Sequence, residues 1–483
     1  MKNNYSYWFL IGICTLLSTL SAAQNVGINT ITPIGKLHVK GAEDISQLII
    51  DADTLQGNQN PLIKLRSGMG ADLLWIHSDD STNVFVGLKA GSVNVAGLEG
   101  IKNTFIGSRA GFANNDGTAN TAIGFEALHS NTQGSNNTAV GIESLYFNGA
   151  GYGNTASGRR ALYSNDFGNY NTATGDAALF SNQYGTQNSA FGSQSLYSNR
   201  GSYNTACGYA SLTSNTVGGS NSAFGSSSLL YNTDGALNTA IGTGALGSNR
   251  GGSVNTAVGV RSLTNEVGGS NNIALGADAG TAIGSPNVIN TVSIGNHGYL
   301  NAATNQAFFG NLSTAWNGGN VTWSTYSDAR VKTDVHEDVK GLDFITRLRP
   351  VTYHRSTKAM VSITGNAEVD DYPEKYDIEK IKFSGFLAQE VEMAAKEANY
   401  TFSGITIPET DHDLYTLSYE QFVVPLVKAV QEQQLIIESL QEEAIAMRAE
   451  IADQKTDHLR IENQQLQIDA LLKQIEALEN RIK

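Results

Sequence analysis

Cysteine is almost absent from this sequence, which has two, Cys14 and Cys207, among 483 residues. Cys14 lies in an apolar N-terminal run that we expect to be removed, and one remaining thiol cannot close an intrachain disulfide. Ile13 precedes it where a lipoprotein cleavage site requires a small residue, so we expect no lipid anchor. The fold must therefore be stabilised by packing and oligomerisation. We predict that Cys207 is a small, buried apolar residue.

Charged residues and proline are also scarce. Only 16% of residues are charged, and 7 prolines stand against 51 glycines. This composition excludes a charged disordered chain and a proline-rich linker. The net charge of -14 argues against nucleic acid as a partner, because phosphate-backbone binding depends on clustered lysine and arginine. With so much glycine and more length than one core requires, the chain is predicted to be a repetitive rod.

Long apolar runs are absent beyond the first residues. Residues 1–23 carry an early lysine, an apolar run and the small residues Ser21, Ala22 and Ala23, which together predict a secretion signal peptide. The run is shorter than the roughly 20 apolar residues of a membrane span, so we expect no transmembrane segment in the mature chain. We therefore expect a secreted or cell-surface protein.

Short alternating segments and a fixed repeat follow. Residues 24–82 combine apolar clusters with Gly, Asn, Asp and Pro turns, which predicts a small N-terminal β cap. A pentad, Asn-Thr-Ala-x-Gly with variants, then recurs from Asn103 to Asn272 every 17 residues, with one interval of 16. Such a period predicts a stacked array, and we assign residues 83–295 to a β-solenoid or β-roll rod with a 17-residue repeat.

Three positions of the repeat define its predicted cross-section. The fourth pentad residue is often apolar, as at Ile123 and Phe224, and a leucine follows the pentad asparagine by eight residues, as at Leu128. We predict that both positions face inward. A second asparagine lies eleven residues after the pentad start, as at Asn131. It is predicted to occupy a turn, because asparagine tolerates left-handed backbone.

This predicted core buries few apolar side chains in each repeat. That burial is small against the backbone entropy cost of about 1–2 kcal/mol for each ordered residue. Lateral association would supply the missing burial, so we expect a homo-oligomer. The pentad also resembles the head repeats of trimeric autotransporter adhesins, although their repeat is shorter.

Aromatic residues follow the repeat leucines in successive coils, at Tyr146, Tyr163, Phe180 and Tyr197. They could form a track for a glycan or a host-surface receptor, or a ladder in which each ring packs on the next, and we favour the ladder. Calcium-binding Gly-Asp repeats, a phosphate loop and paired carboxylates for glycan hydrolysis are missing from the sequence. We therefore predict no metal site and no cofactor.

The period ends after Gly295, and residues 296–326 are predicted to be a β connector. Ser327, Asp328 and Lys332 come next. A serine and a lysine form a catalytic dyad where burial favours the neutral amine, which then accepts the hydroxyl proton. Their spacing places the two side chains apart on a strand or a helix, so a dyad requires a turn near Asp328.

Three motifs follow the serine in order: Gly341-Leu342-Asp343-Phe344-Ile345, Gly385-Phe386-Leu387-Ala388-Gln389-Glu390-Val391 and Tyr419-Glu420-Gln421-Phe422. Together they resemble the C-terminal intramolecular chaperone domain of phage tailspikes and endosialidases, over about residues 327–435. The resemblance implies a domain that trimerises, templates the folding of the preceding region and then cleaves itself. Its catalytic pair would be Ser327 and Lys332, and its scissile bond Ser327–Asp328.

Two chemical routes to this cleavage stay open. Attack of the Ser327 hydroxyl on its own carbonyl closes a four-membered ring, whereas attack on the carbonyl of Tyr326 is an easier acyl shift. By either route the domain would be a single-turnover serine endopeptidase with no substrate in trans.

The last segment has the pattern of a coiled coil. We assign residues 327–425 to the chaperone domain and residues 426–483 to the coil. Its apolar seam, in which spacings of three and four recur, is Val430, Ile437, Leu440, Ala444, Met447 and Ile451 and, after a slip near His458, Ile468, Leu471, Ile475, Leu478 and Ile482. A bundle of helices would hold chains in register before slow β pairing begins.

The expected fold is mainly β with an α+β C-terminal part. The expected protein is a secreted, homotrimeric, tail-fibre-like or adhesin-like surface protein whose C-terminal domain directs folding and then cleaves itself. The alternative is an adhesin that stays uncleaved and uses the C-terminal domain only to trimerise.

Overall fold

The computed structural model divides the chain into two compact units, Met1–Gln187 and Asn188–Lys483, and each is described by itself. The predicted signal peptide, residues 1–23, lies outside the described residues. The structure describes residues 26–28, 37–39, 50, 61–95, 99–281, 287–297, 303–311, 313–315, 317–320, 323–364, 376–408, 410–411 and 413–482.

The first unit begins with short strands and continues as a solenoid. Strands β1 (Val26–Ile28) and β2 (Leu37–Val39) pair in parallel, while β3 (Ile63–Arg66), β4 (Asp72–His77) and β5 (Val84–Val86) pair in antiparallel order. From β5 onward each strand pairs in parallel with the next: β6 (Thr104–Ile106), β7 (Thr121–Ile123), β8 (Thr138–Val140), β9 (Thr155–Ser157) and β10 (Thr172–Thr174).

The second unit opens with the same parallel arrangement. Its strands are β11 (Ser189–Phe191), β12 (Thr205–Cys207), β13 (Ser222–Phe224), β14 (Thr239–Ile241), β15 (Thr256–Val258), β16 (Ile273–Leu275), β17 (Val292–Ile294) and β18 (Ala307–Phe309). The predicted β-solenoid with 17-residue repeats is thus confirmed.

Backbone hydrogen bonds join successive coils around most of their circumference. In the coil that starts at Asn120, the amide of Thr121 donates to the Asn137 carbonyl at 2.8 Å and that of Leu128 donates to the Ser144 carbonyl at 2.8 Å. The pentad glycine is required where coils approach closely. Gly124 has φ of 143°, and a Cβ there would lie 2.4 Å from the carbonyl oxygen of Gly141.

The predicted cross-section is correct for leucine and wrong for the fourth pentad residue. Leu128 is fully buried, whereas Ile123 is 40% exposed and Phe224 is 42% exposed. In these three-residue strands only the middle residue, as at Ala122, points inward, because side chains alternate along a strand. Cys207 occupies the fourth position and is exposed, so the prediction that it is buried is also wrong.

The second asparagine of the repeat is buried, which corrects its predicted role in a turn. The side-chain amide of Asn148 donates to Asn131 Oδ1 at 2.9 Å and to the Gly151 carbonyl at 2.7 Å, and the same bonds recur from coil to coil. We call this stack the inner asparagine ladder. Left-handed backbone lies elsewhere, as at Leu128 with φ of 51°. The ladder fills and bonds the interior, so a thin core is no argument for lateral association.

Aromatic rings stack along the first unit, as the ladder hypothesis predicts. Ring centroids are 4.7 Å apart between His129 and Tyr146, 5.2 Å between Tyr146 and Tyr163, and 5.0 Å between Tyr163 and Phe180. The planes of the last pair differ by 2°. Stacked faces that contact each other are not available to a planar ligand.

The C-terminal part has small helices and hairpins and one long helix, which confirms the predicted α+β character. Its helices are α1 (Leu342–Ile345), α2 (Thr357–Thr364), α3 (Ala388–Glu397) and α4 (Val423–Ile482), with 3-10 turns at Ala329–Val331, Asp377–Lys380 and Tyr419–Phe422. Its antiparallel strand pairs are β19 (Val351–Tyr353) with β20 (Phe383–Gly385) and β21 (Ile405–Thr406) with β22 (Thr416–Leu417).

Helix α4 has 60 residues, of which Pro425 and Ala429 are buried. Its apolar seam is exposed in the single chain, with Leu440 at 57% and Ile451 at 51%. The long helix with this seam is consistent with the predicted coiled coil. Among the described residues, no helix combines the length and apolar character of a membrane span.

A substitution within the inner ladder tests whether its amides stabilise the solenoid. Asn165 Nδ2 donates to Asn148 Oδ1 at 2.9 Å, and Asn165 Oδ1 accepts from Asn182 Nδ2 at 2.9 Å. We expect Asn165→Ala to lower the free energy of unfolding by about 2–4 kcal/mol, because it leaves buried partners unsatisfied. Equilibrium denaturation followed by circular dichroism measures this change. Asn115→Ala, at an exposed position, is the matched control, and an equal effect of both would contradict the prediction.

Candidate auto-processing site

The segment around Ser327 folds as one exposed turn. Asp328 precedes the 3-10 turn Ala329–Val331 and caps it, with its side-chain Oδ1 accepting from the Arg330 amide at 2.9 Å. The turn closes where the amide of Lys332 donates to the Ala329 carbonyl at 3.2 Å. A short polar side chain such as aspartate suits this position, because it satisfies an amide that the turn leaves free.

The turn brings the two candidate catalytic side chains together. Lys332 Nζ lies 2.8 Å from Ser327 Oγ and donates a hydrogen bond to it. This is the contact distance of a nucleophile and its base, although catalysis needs the proton to travel in the opposite direction, from the hydroxyl to the neutral amine. A dyad at this spacing requires a turn near Asp328, and the capped 3-10 turn meets that requirement.

Asp328 is paired with Arg330 rather than with the lysine. Arg330 Nη2 lies 2.5 Å from Asp328 Oδ2. The side-chain hydrogen bond from Arg330, followed by its backbone amide, holds the pKa of Asp328 below its usual range, and the same contact raises the pKa of Arg330. Asp328 is therefore a carboxylate at neutral pH. Because both side chains are exposed, the pair orients the turn more than it stabilises the fold.

The histidines of this region have other partners. His336 Nε2 lies 2.9 Å from Asp334 Oδ1, and His354 Nδ1 lies 2.9 Å from the Glu379 carbonyl oxygen. His412 lies outside the described residues. Within the described ranges, no group of three or more His, Cys, Asp or Glu side chains is placed to hold a metal ion.

The motif residues beyond the turn pack into one small core. Phe344 from α1 lies 5.0 Å from Phe402 between ring centroids, and Phe402 lies 4.7 Å from Phe422, which immediately precedes α4. Val391 and Ala394 of α3 complete this buried cluster. The three motifs therefore meet because each supplies one wall of the same core.

Two motif glycines provide close contacts to other motif residues. A Cβ at Gly385 would lie 2.1 Å from the Tyr419 hydroxyl oxygen, which accepts a hydrogen bond from the Phe386 amide at 3.0 Å. A Cβ at Gly341 would lie 2.5 Å from Glu432 Oε2. These contacts explain why side chains are excluded at both positions.

Glu432 is a structural residue whose role the sequence analysis missed. Its Oε2 accepts a hydrogen bond at 2.7 Å from the amide of Leu342, ninety positions earlier in the chain. The bond ties the start of α1 to the first turns of α4. No local pattern reveals such a contact, since the glutamate lies in a helix rich in glutamate.

Residues 327–400 match the family model described as chaperone of endosialidase. The prediction of a tail-fibre-type chaperone segment is confirmed. The match begins at Ser327, the residue that opens the capped turn. Neither the curated proteins nor the solved structures contain a significant match to the chain. A β-solenoid followed by this chaperone segment fits a tail-fibre-like protein.

The tie between α1 and α4 is testable in the chaperone segment. We expect Glu432→Ala to destabilise this segment by about 1–3 kcal/mol, because the part-buried amide of Leu342 loses its acceptor. Hydrogen exchange of residues 342–346, read by mass spectrometry, measures the effect. Glu438→Ala removes an exposed glutamate of the same helix and should leave that exchange unchanged. Equal protection in both variants would refute the role of Glu432.

Proposed function

We propose that this protein is an exported, homotrimeric surface fibre whose chaperone segment directs assembly and then separates itself by cleavage at Ser327–Asp328. The observation that carries the proposal is the 2.8 Å contact between Lys332 Nζ and Ser327 Oγ at the first residue of the matched segment. The Ser327 hydroxyl attacks the carbonyl carbon as Lys332 takes up its proton. That proton passes to the departing amine as the peptide C–N bond breaks, and water then hydrolyses the resulting ester and restores the hydroxyl. Asp328 and Arg330 hold the turn that brings the pair together.

Assembly through α4 is the first step of the proposal. The seam residues of this helix expose apolar side chains over its length, as at Leu440 and Ile451. The helix propensity of its sequence alone gives an isolated helix little stability. Packing against copies of itself stabilises the helix, because it buries the exposed seam. The endosialidase chaperone resemblance implies three copies.

Exposure of the dyad supports a cleavage step that follows assembly. Ser327 and Lys332 are both exposed in the single chain. A lysine acts as a base only without its proton, and removal from water is what favours the neutral amine. We infer that neighbouring copies cover the turn and thereby activate it. An unassembled chain would then keep its chaperone, and an assembled one would release it.

Release would leave the solenoid in a kinetically trapped state. Its coils are hydrogen-bonded to their neighbours, so unfolding must start from an end or disrupt several coils together. A solenoid that has lost the chaperone segment would also lack its template for refolding. The fibre would then survive harsh external conditions because it unfolds slowly.

Intact-mass analysis of the expressed protein tests the cleavage. We expect wild type to yield two fragments that meet at residues 327 and 328, and we expect Ser327→Ala and Lys332→Ala to remain full length. Ser324→Ala and Lys340→Ala, which change the same residue types nearby, should be cleaved like wild type. Release would be at least a hundredfold slower without the hydroxyl or the amine, in line with the contribution of acid–base groups, about 10²–10⁴.

The fragment ends also separate the two chemical routes. A fragment ending at Ser327 supports the Ser327–Asp328 bond, whereas one ending at Tyr326 supports an acyl shift onto the Ser327 hydroxyl. A full-length wild type would favour the second candidate, an uncleaved adhesin in which the chaperone segment only trimerises. The exposure of the dyad is the observation on which that alternative rests.

Seam substitutions test the order of the two steps. We expect the double variant Leu440→Asp, Ile451→Asp to be monomeric in light scattering coupled to size-exclusion chromatography, because charges in the seam oppose helix packing. We also expect it to remain uncleaved. Glu442→Gln, off the seam, should assemble and cleave like wild type. Cleavage of the monomeric variant would contradict activation by assembly.

A further inference from the structure

The inner asparagine ladder has the same direction in each unit, and in the first unit its first end is closed by a carboxylate. Each side-chain amide donates to the carbonyl oxygen of the ladder residue in the preceding coil, as Asn131 Nδ2 does to Asn114 Oδ1 at 2.6 Å. Asn94 stands first, and its Nδ2 donates to Asp79 Oδ2 at 2.8 Å. An acceptor therefore caps the end at which a donor would otherwise lack a partner.

The opposite end of a ladder needs a donor, and the pentad asparagines have one. Their stack ends at Asn272, whose Oδ1 accepts from the Thr291 amide at 3.0 Å and from the Thr291 hydroxyl at 2.8 Å. The final acceptor of the pentad ladder is thus satisfied by a residue that replaces asparagine with a hydroxyl.

The inner ladder ends differently. Asn249 is its last asparagine, and the next ladder position is occupied by Glu266, which is fully buried. Glu266 Oε1 accepts from the Gly269 amide at 2.6 Å. Glu266 Oε2 and Asn249 Oδ1 are both buried without a hydrogen-bond partner, as is the hydroxyl of Thr281. A carboxylate at this place would set one acceptor against another, Asn249 Oδ1, and the single hydrogen of the Thr281 hydroxyl could satisfy only one of the two.

We propose that Glu266 is a proton-binding site, in which the carboxylic acid donates from Oε2 to Asn249 Oδ1 and so completes the inner ladder. The register supports this contact, because the amide of Arg250 donates to the Val267 carbonyl at 2.8 Å and so stacks Glu266 on Asn249. The proton supplies the one donor that the end of the ladder lacks. On loss of the proton, the last coil keeps a buried charge.

The surroundings of Glu266 agree with protonation near neutral pH. Burial raises the pKa of Glu266 to about 7, while the backbone amides of Gly269, Val267 and Gly268 and the Thr281 hydroxyl oppose that rise. Charged groups of the flanking coils lie outside: Arg250 is exposed, and Arg261 pairs with Asp278 at 2.6 Å on the surface. Residues 282–286 contain no titratable side chain.

The direction of the pH effect follows from the difference between the pKa of Glu266 in the folded chain and its pKa in the unfolded chain. The pKa of Glu266 is raised in the folded chain from 4.5 to about 7, so its contribution to stability is complete below 4.5 and is lost as pH rises through about 7. The coil that contains Glu266 should therefore open more often in mildly alkaline solution. The shift corresponds to a change of about a hundredfold or more in the opening equilibrium.

Hydrogen exchange of the full-length protein at about pH 5.5 and about pH 8.5, corrected for intrinsic rates, tests the proposal. We expect protection of peptides within residues 246–281 to fall about thirtyfold at the higher pH, because part of the stabilisation is already lost at pH 5.5, while peptides within residues 204–232 stay unchanged. Glu266→Gln keeps the shape, accepts from Gly269 and donates from Nε2 without a titrating proton. It should be protected equally at both pH values. Asp234→Asn, an exposed change in the same unit, should behave like wild type.

Infrared difference spectra between the two pH values give a second readout, since the carbonyl stretch of a buried carboxylic acid should be present in wild type and absent in Glu266→Gln. Equal protection of wild type at both pH values would overturn the proposal, as would a pH response retained in Glu266→Gln. Loosening of residues 246–281 by a chelator at the higher pH would also overturn it, in favour of a bound cation. If Glu266→Gln does not fold, Glu266→Asn, which restores the ladder residue, should show the same loss of pH response.

Discussion

The structure depends on one constraint: the buried amides of a coil need hydrogen-bond partners, and many of those partners lie in the coil above or below it. Backbone amides donate across coils, and the asparagine side chains inside do the same, as Asn148 does to Asn131. Buried polar groups cost free energy when they are unpaired. A coil in the middle of the stack has partners on both sides, whereas a coil at the end lacks them on one side and needs a cap. The caps at Asp79 and Thr291 and the acid at Glu266 all answer this requirement.

The same constraint explains the need for a chaperone segment. A single coil cannot satisfy the hydrogen bonds of its own amides, so forming the first coils is unfavourable in free energy. The stack therefore grows only from an existing template. The chaperone segment has an apolar core around Phe344 and Phe422, made of residues from the segment itself and not from the solenoid coils. The chain therefore combines an apolar core with a solenoid that needs a template, and folding has a defined starting point in that core.

The sequence was sufficient to predict the period, the inward leucines and the long helix, because each is a local pattern with one physical meaning. The sequence was insufficient where one residue type suits two different structural positions. Asparagine suits turns and also ladders, and only the register of neighbouring coils places Asn131 inside. Alternation in three-residue strands turned Ile123 and Cys207 outward. The contact between Glu432 and Leu342 spans ninety positions and has no local signal.

The candidate dyad shows the same division between local and assembled structure. The cap at Asp328 is local and brings Ser327 and Lys332 to 2.8 Å without help from the rest of the fold. Desolvation of the pair is not local, because the turn is exposed in one chain. In the proposed function, geometry that is ready before assembly, with an environment that only assembly supplies, would make cleavage a consequence of correct oligomerisation. A chain that cleaved before its solenoid had formed would lose its template, so an exposed, unactivated dyad would protect the folding reaction that cleavage is proposed to end.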